Sequence, residues 1–295
     1  MIKFSKMHGC GNDYIYINCF NQDISSIPNF ENFVKNVSDR HFGIGSDGVI
    51  LIKPTDKADA YMDMYNADGS SGAMCGNGIR CVAKYIYDNG IVNKDEVDIL
   101  TRSGIKHLKL FIVNNKVETV SVDMGEAILN PKEIPVNTDK KLFMEDIAIG
   151  DKNYFTTCVS MGNPHAVIFL DDIESLDLEH IGPLFENNSL FPDRVNTEFL
   201  KVIDSKTAYF RVWERGSGET LACGTGACAS VVAGCLNGYF NKNEEVHIIL
   251  RGGDLYITYM DNGHVLMRGN ASFVFNGEIK ELTIVLSDCW QKKFC

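Results

Sequence analysis

The sequence of 295 residues is 45% apolar and 23% charged, ordinary for a folded protein and long enough for two domains with cores of their own, so extensive disorder is excluded. A formal net charge of −11 argues against a nucleic-acid or anionic-membrane surface and points to a small-molecule partner. No apolar run reaches the length of a membrane span and the opening Met1–Gly9 lacks a signal-peptide core, which predicts a cytoplasmic protein.

Lys3–Lys6 reads as a first strand and Tyr14–Ile17 as a second. Between them, Met7-His-Gly-Cys-Gly-Asn-Asp13 sets Asn12, a donor and an acceptor at once, beside a glycine turn. Asn32–Arg40 reads as a helix, and the glycines of His41–Gly48 as a turn with a structural role before the strand Val49–Ile52. Tyr61–Tyr65 alternates as a strand, and Ile79–Asp88 has the period of a helix closed by Asn89-Gly90. Cys75 therefore stands where a helix begins. Unpaired backbone N–H groups and the positive end of the helix dipole there favour a thiolate and a bound carboxylate. Val97–Leu100, Lys106–Val113 and Val117–Asp123 read as strands with Asn114-Asn115 as a hairpin turn, and Pro131–Pro135 with Asn137–Lys140 as a surface loop.

The second half repeats the first. Ala60, Tyr61, Cys75, Gly76, Gly78, Asn89 and Gly90 recur without a gap as Ala208, Tyr209, Cys223, Gly224, Gly226, Asn237 and Gly238. Gly11-Asn12 likewise recurs as Gly162-Asn163, followed by the strand Ala166–Leu170. These matches include both cysteines and the helix-ending Asn-Gly, so a duplicated domain is expected. The predicted fold is α/β of the α+β type: two pseudo-symmetric halves, each a mostly antiparallel strand set with two helices, one of them central, and a site in the cleft between them. Residues 1–122, completed by the segment 270–295, are assigned to one half and residues 123–269 to the other.

Ten cysteines in a chain of this size are expected to be reduced, and Cys75/Cys81 and Cys223/Cys228 lack zinc-site spacing, so no metal is expected. One cysteine at a helix start in each copy suggests a two-base reaction at carbon. A thiolate takes a proton from one face and a thiol returns one to the other, while the N–H groups of Gly76-Asn77 and Gly224-Thr225 hold a carboxylate and the charge that develops on it. Glu214-Arg215 leads through a glycine-rich loop to Cys223 and adds a charged pair to the same region.

In Met-His-Gly-x-Gly-Asn-Asp, Asn-Ala-Asp-Gly-Ser, Met-Cys-Gly-Asn-Gly-x-Arg-Cys, Met-Gly-Asn-Pro-His, Arg-Val-Asn, Glu-Arg-Gly-x-Gly-Glu-Thr and Ala-Cys-Gly-x-Gly-Ala-Cys-Ala, in order from Met7 to Cys228, the chain resembles the diaminopimelate epimerases. These are amino-acid racemases independent of pyridoxal phosphate. The resemblance implies interconversion of L,L- and meso-diaminopimelate, a place in lysine and cell-wall precursor synthesis, no metal or organic cofactor, and a homodimer. It implies Cys223 as base toward the L,L substrate, Cys75 as proton donor opposite, and His165 and Glu214 as groups that tune the thiols. Asn12, Asn66, Asn163, Asn196 and Arg215 would recognise the substrate's ammonium and carboxylate groups. Two positions depart from the pattern: Gly48 stands where some members have Gln, and Phe275 where others carry a Tyr that hydrogen-bonds at the dimer interface. Two other readings compete. A proline racemase would share the cysteine pair but matches less well at Asn-Ala-Asp-Gly-Ser and Glu-Arg-Gly, and a binding module without catalysis is disfavoured by the presence of both cysteines.

Overall fold

The computed structural model describes residues 1–280. In chain order the first half contains β1 (Ile2–Gly9), β2 (Asn12–Asn18), α1 (Phe30–Ser38), β3 (Gly48–Lys53), β4 (Ala60–Asn66), β5 (Ser71–Gly72), α2 (Gly76–Asp88), β6 (Glu96–Thr101), β7 (Gly104–Val113) and β8 (Lys116–Glu126). The second contains β9 (Glu145–Ile149), β10 (Lys152–Ser160), β11 (Pro164–Phe169), α3 (Leu178–Glu186), β12 (Asn196–Asp204), β13 (Thr207–Glu214), β14 (Gly218–Glu219), α4 (Gly224–Leu236), β15 (Glu245–Leu250), β16 (Gly253–Tyr259) and β17 (His264–Asn270). β18 (Ser272–Ile279) follows.

The pairing repeats with the sequence. β1/β2 is antiparallel, β2/β3 parallel, β3/β4 antiparallel, β4/β6 parallel, and β6/β7 and β7/β8 antiparallel. The pairs β10/β11, β11/β12, β12/β13, β13/β15, β15/β16 and β16/β17 follow the same alternation. The two strand sets meet where β8 runs antiparallel to β17, and the chain returns at β18 to lie against β1. β18 stands to β1 as β9 stands to β10. The remainder of the segment 270–295, from 281 onward, lies outside the described residues, as does the tail from Ser287.

α4 is buried on nearly every face, whereas α2 buries one side and carries the Lys84–Asp88 ion pair on the other. Ile79, Cys81, Val82 and Ile86 of α2 share one core with Ala227, Cys228, Val231 and Val232 of α4, closed by Leu108, Val120 and Val122 on one side and Leu255, Ile257 and Met267 on the other. The second helix of each half packs on the opposite sheet face. α1 buries Phe33, Val34 and Val37 against Ile15, Ile17 and Leu51, and α3 buries Phe185 against Ile168, Phe199 and Trp213. The hairpin at Asn114-Asn115 has both residues at positive φ, 51° and 59°, the geometry that joins twisted antiparallel strands in two residues.

Two local expectations are corrected. The first helix covers 30–38 rather than 32–40, because Asn29 caps it through its side chain, accepting from the Asn32 N–H at 3.0 Å, and Arg40 lies beyond its end. The segment around 131–140 is only partly surface: Pro131, Ile134 and Val136 are buried, the last two against Cys158, Ala166 and Phe191, while Asn137, Asp139 and Lys140 are exposed. Its apolar residues serve the second half's core, and only the polar ones face water.

Candidate active site

A cavity of about 1160 Å³ opens between the starts of α2 and α4. Cys75 and Cys223 both line it, together with Gly76, Asn77, Gly224 and Thr225 from the first turns that follow them. The N–H of Gly78 points to Cys75 Sγ at 3.3 Å and that of Gly226 to Cys223 Sγ at 3.4 Å, so each sulfur takes the place of an N-cap side chain. Two helix starts facing one cavity turn toward it N–H groups that have no partner within the helix, the kind of group that receives an anion.

Asn12, Asn66, Asn163 and Glu214 also line the cavity. Asn12 Oδ1 lies 3.1 Å from Cys75 Sγ, and its Nδ2 donates to Asp47 Oδ2 at 2.7 Å. Asn163 Nδ2 donates to the Thr225 hydroxyl at 3.3 Å, and that hydroxyl stands 3.5 Å from Cys223 Sγ. The remaining residues singled out in the sequence sit behind this wall. His165 is fully buried, with Nδ1 2.6 Å from Glu198 Oε1 and Nε2 3.0 Å from Asn163 Oδ1. Asn196 is buried, donating to the Pro164 carbonyl at 2.8 Å and accepting from the Arg215 N–H at 3.0 Å. The Arg215 guanidinium donates to the Asp193 carbonyl at 2.9 Å and is not part of the cavity lining.

Burial is the largest influence on both thiols and raises them. At Cys75 it is opposed by the Gly78 and Asn77 N–H groups, by Tyr14 and by the Arg80 charge. Cys223 is pushed well above its ordinary value, by burial first and then by the Glu214 and Glu198 carboxylates, with Thr225 and the Gly226 N–H opposing. The charges that act on the two thiols therefore differ in sign: carboxylates at Cys223 and the Arg80 guanidinium at Cys75.

Several residues at the site were not assigned a role from the sequence, although Arg80 belongs to a quoted motif. Tyr14 lines the cavity within an apolar strand, where an alternating pattern reads only as core. Arg40 and Asp47 line it too, which corrects the purely structural reading of the 41–48 turn: Arg40 Nη2 donates to Asp13 at 2.7 Å and to Asp47 at 2.8 Å, tying the turn to β2. Arg80 is fully buried, and among the described residues it has no carboxylate partner. It donates instead to Asn77 Oδ1 at 2.9 Å and to the carbonyls of Gly76 and Asn270. Glu198 is fully buried beneath α4, and its Oε2 has no hydrogen-bond partner. At Gly48 a Cβ would lie 2.0 Å from the Tyr65 carbonyl oxygen, so this backbone admits no side chain where some relatives carry Gln. Among the described residues, no group of three or more His, Cys, Asp or Glu side chains is arranged to hold a metal ion, and no helix is long and apolar enough to cross a membrane.

The family model for diaminopimelate epimerase matches residues 4–130 and 157–274. A diaminopimelate epimerase of Agathobacter rectalis is 53% identical over 287 residues, covering 94% of this chain and 99% of its own. Those of Acetivibrio thermocellus and Methanococcus maripaludis are 52% and 51% identical over 280 residues, each covering 94% of this chain and 98% and 99% of their own. Among solved structures, a probable proline racemase from Agrobacterium radiobacter superposes with a TM-score of 0.67 at 14% identity, covering 95% of this chain and 93% of its own. A phenazine biosynthesis protein of the PhzF family from Bacillus anthracis gives 0.65 at 14%, covering 94% and 98%. These two structures share the fold of paired halves.

Proposed function

The chain belongs to the diaminopimelate epimerase family, and we propose that it is an isomerase interconverting L,L- and meso-diaminopimelate through Cys75 and Cys223. The observation that carries this reading is the pair of cysteine-capped helix starts lining one cavity.

In this mechanism the substrate α-carboxylate lies between the first turns of α2 and α4, held by the N–H groups of Gly76-Asn77 and Gly224-Thr225. Cys223, as thiolate, removes the α-proton of the L,L isomer. The electron pair left by the broken C–H bond spreads onto the carboxylate, where the two helix starts stabilise the added charge. Cys75 then delivers its own proton to the opposite face, so that turnover ends with a Cys223 thiol and a Cys75 thiolate, the reverse of the starting pair. The meso isomer runs the same steps backward. Asn12, Asn66 and Asn163, which line the cavity, serve to recognise the substrate's charged ends and Glu214 receives an ammonium group, while Asn196 and Arg215, outside the lining, act by fixing the loop behind it. His165 acts on Cys223 through Asn163 and Thr225 rather than by contact.

The same reading makes the enzyme a cytoplasmic homodimer that supplies lysine and cell-wall precursors, its units formed by 1–122 with the returning C-terminal segment and by 123–269. It is tested by incubating the purified protein with L,L-diaminopimelate in deuterium oxide. Formation of the meso isomer with deuterium at one α-carbon is expected; absence of both exchange and isomerisation overturns the assignment.

A further inference from the structure

Asn12 and Asn163 hold equivalent places in the duplicated halves, yet their amides are turned in opposite senses. Asp47 Oδ2, a carboxylate oxygen that can only accept, receives both Asn12 Nδ2 at 2.7 Å and the Asp13 N–H at 3.0 Å, while Asp47 Oδ1 is held by Arg40 at 2.8 Å. Asn12 is thereby forced to show its oxygen to Cys75 Sγ, 3.1 Å away, and an oxygen there accepts a proton from a thiol and repels a thiolate.

In the second half the amide is set by a buried pair. His165 Nδ1 lies 2.6 Å from Glu198 Oε1, and one proton serves that contact whichever of the two carries it, so the other ring nitrogen, Nε2, keeps its hydrogen and gives it to Asn163 Oδ1 at 3.0 Å. The fully buried Glu198, whose other oxygen is unpartnered, is pushed up by burial with His165 opposing, so the two hold that proton between them. With its oxygen on His165, Asn163 gives Nδ2 to Thr225, and the Thr225 hydroxyl proton is left for Cys223 Sγ. Sequence position marks the same difference: a Cβ on Gly226 would meet Glu198 Oε1 at 2.6 Å, whereas one on the equivalent Gly78 would meet Ile50 Cδ1 at 2.8 Å.

We propose that Asp47 and Glu198 are positioning residues that turn Asn12 and Asn163 in opposite senses, so that Cys75 holds the resting proton and Cys223 rests as the thiolate. This deepens the two-cysteine reading and rests on it. The charged groups around each thiol act the other way. Arg80 of α2 favours a Cys75 thiolate, with Tyr14 and Tyr16 of β2 and Cys81 of α2 as its other titratable neighbours. Glu214 of β13 and Glu198 of β12 disfavour a Cys223 thiolate, and His165 of β11 lies against the second. The order in which the two thiols titrate therefore separates hydrogen-bond sense from net charge.

The experiment is alkylation of the substrate-free protein by iodoacetamide across a pH series, with the Cys75 and Cys223 peptides quantified separately by mass spectrometry. Plateau rates report access, and midpoints report the thiol. The expected result is a Cys223 midpoint lower than that of Cys75 by about one pH unit or more. Glu198→Gln removes the carboxyl that fixes the His165 ring, lets Asn163 turn, and raises the Cys223 midpoint; charge alone would lower it. Thr225→Val, which leaves the buried pair intact, raises the Cys223 midpoint without moving that of Cys75, and Thr225→Ser restores it. A lower midpoint at Cys75 in the wild type, or a Cys223 midpoint that stays or falls in Thr225→Val, overturns the proposal. Because alkylation needs no turnover, loss of the epimerase reading and loss of this one are told apart.

Discussion

Cys75 and Cys223 hold the same backbone place in the two halves, with φ and ψ of −134° and 120° at one and −122° and 110° at the other, each the residue before a helix of 13. Their surroundings differ: the Glu214 and Glu198 carboxylates act on Cys223 and the Arg80 guanidinium on Cys75, and in the proposed reaction the two perform unlike halves. Replacing either by Ser leaves one face with a poor acid and base. Epimerisation in both directions is expected to fall by about 10³-fold, the scale of a lost general acid or base, measured with purified variants. With a leaving group on the carbon next to the reacting centre, one thiolate suffices for elimination. Cys75→Ser should then still process L,L-type analogues, and Cys223→Ser D,L-type ones. Equal loss of elimination with both isomers in either variant would sink the one-face, one-cysteine assignment.

Oxidation is expected to inactivate the enzyme by joining Cys75 to Cys223, two free thiols that line one cavity, and a reductant to restore it. Peptide mapping of the inactive form checks this; a different pair of cysteines in it rejects the prediction.

Acid sensitivity should come in part from Asp63. Burial raises this carboxyl, but Lys53 at 2.6 Å and Arg102 at 2.5 Å outweigh it and hold it below the usual carboxylate range. A carboxylate lowered in the folded state adds stability above its unfolded value, about pH 3.9, and that stability is lost as pH falls through the folded value. Asp63→Asn should cost about 3 kcal/mol at neutral pH by stranding two cations, and much less at pH 2. Urea unfolding at the two pH values measures it; an equal cost at both would show that the ion pairs contribute nothing.

Gly48→Gln, which restores a side chain that some relatives carry, is expected to destabilise this protein by well over about 1 kcal/mol, since its Cβ would collide with the Tyr65 carbonyl at a φ of 154°. An unchanged unfolding midpoint would mean that β3 and β4 move apart there at little cost.

The sequence by itself determined the fold class and the duplication, because a period of 3.6 or 2, an Asn-Gly after a helix and a cysteine before one are local patterns that chain geometry turns into structure directly. For the same reason the residues that line the cavity around each thiol were legible as two copies of one motif. It did not reveal Asp47, Arg40, Tyr14 or Glu198. A turn of glycines with an aspartate reads as a turn, and a glutamate in Asn196–Asp204 reads as the polar face of a strand, although Glu198 is fully buried. Only the tertiary structure decided that Asp47 meets Asn12 across 35 residues and that Glu198 meets His165 across 33, because β3 and β12 each enter their sheet parallel to a strand reached through a crossover helix. The orientation of an amide depends on which group such a crossover brings to its other side, and no local pattern carries that.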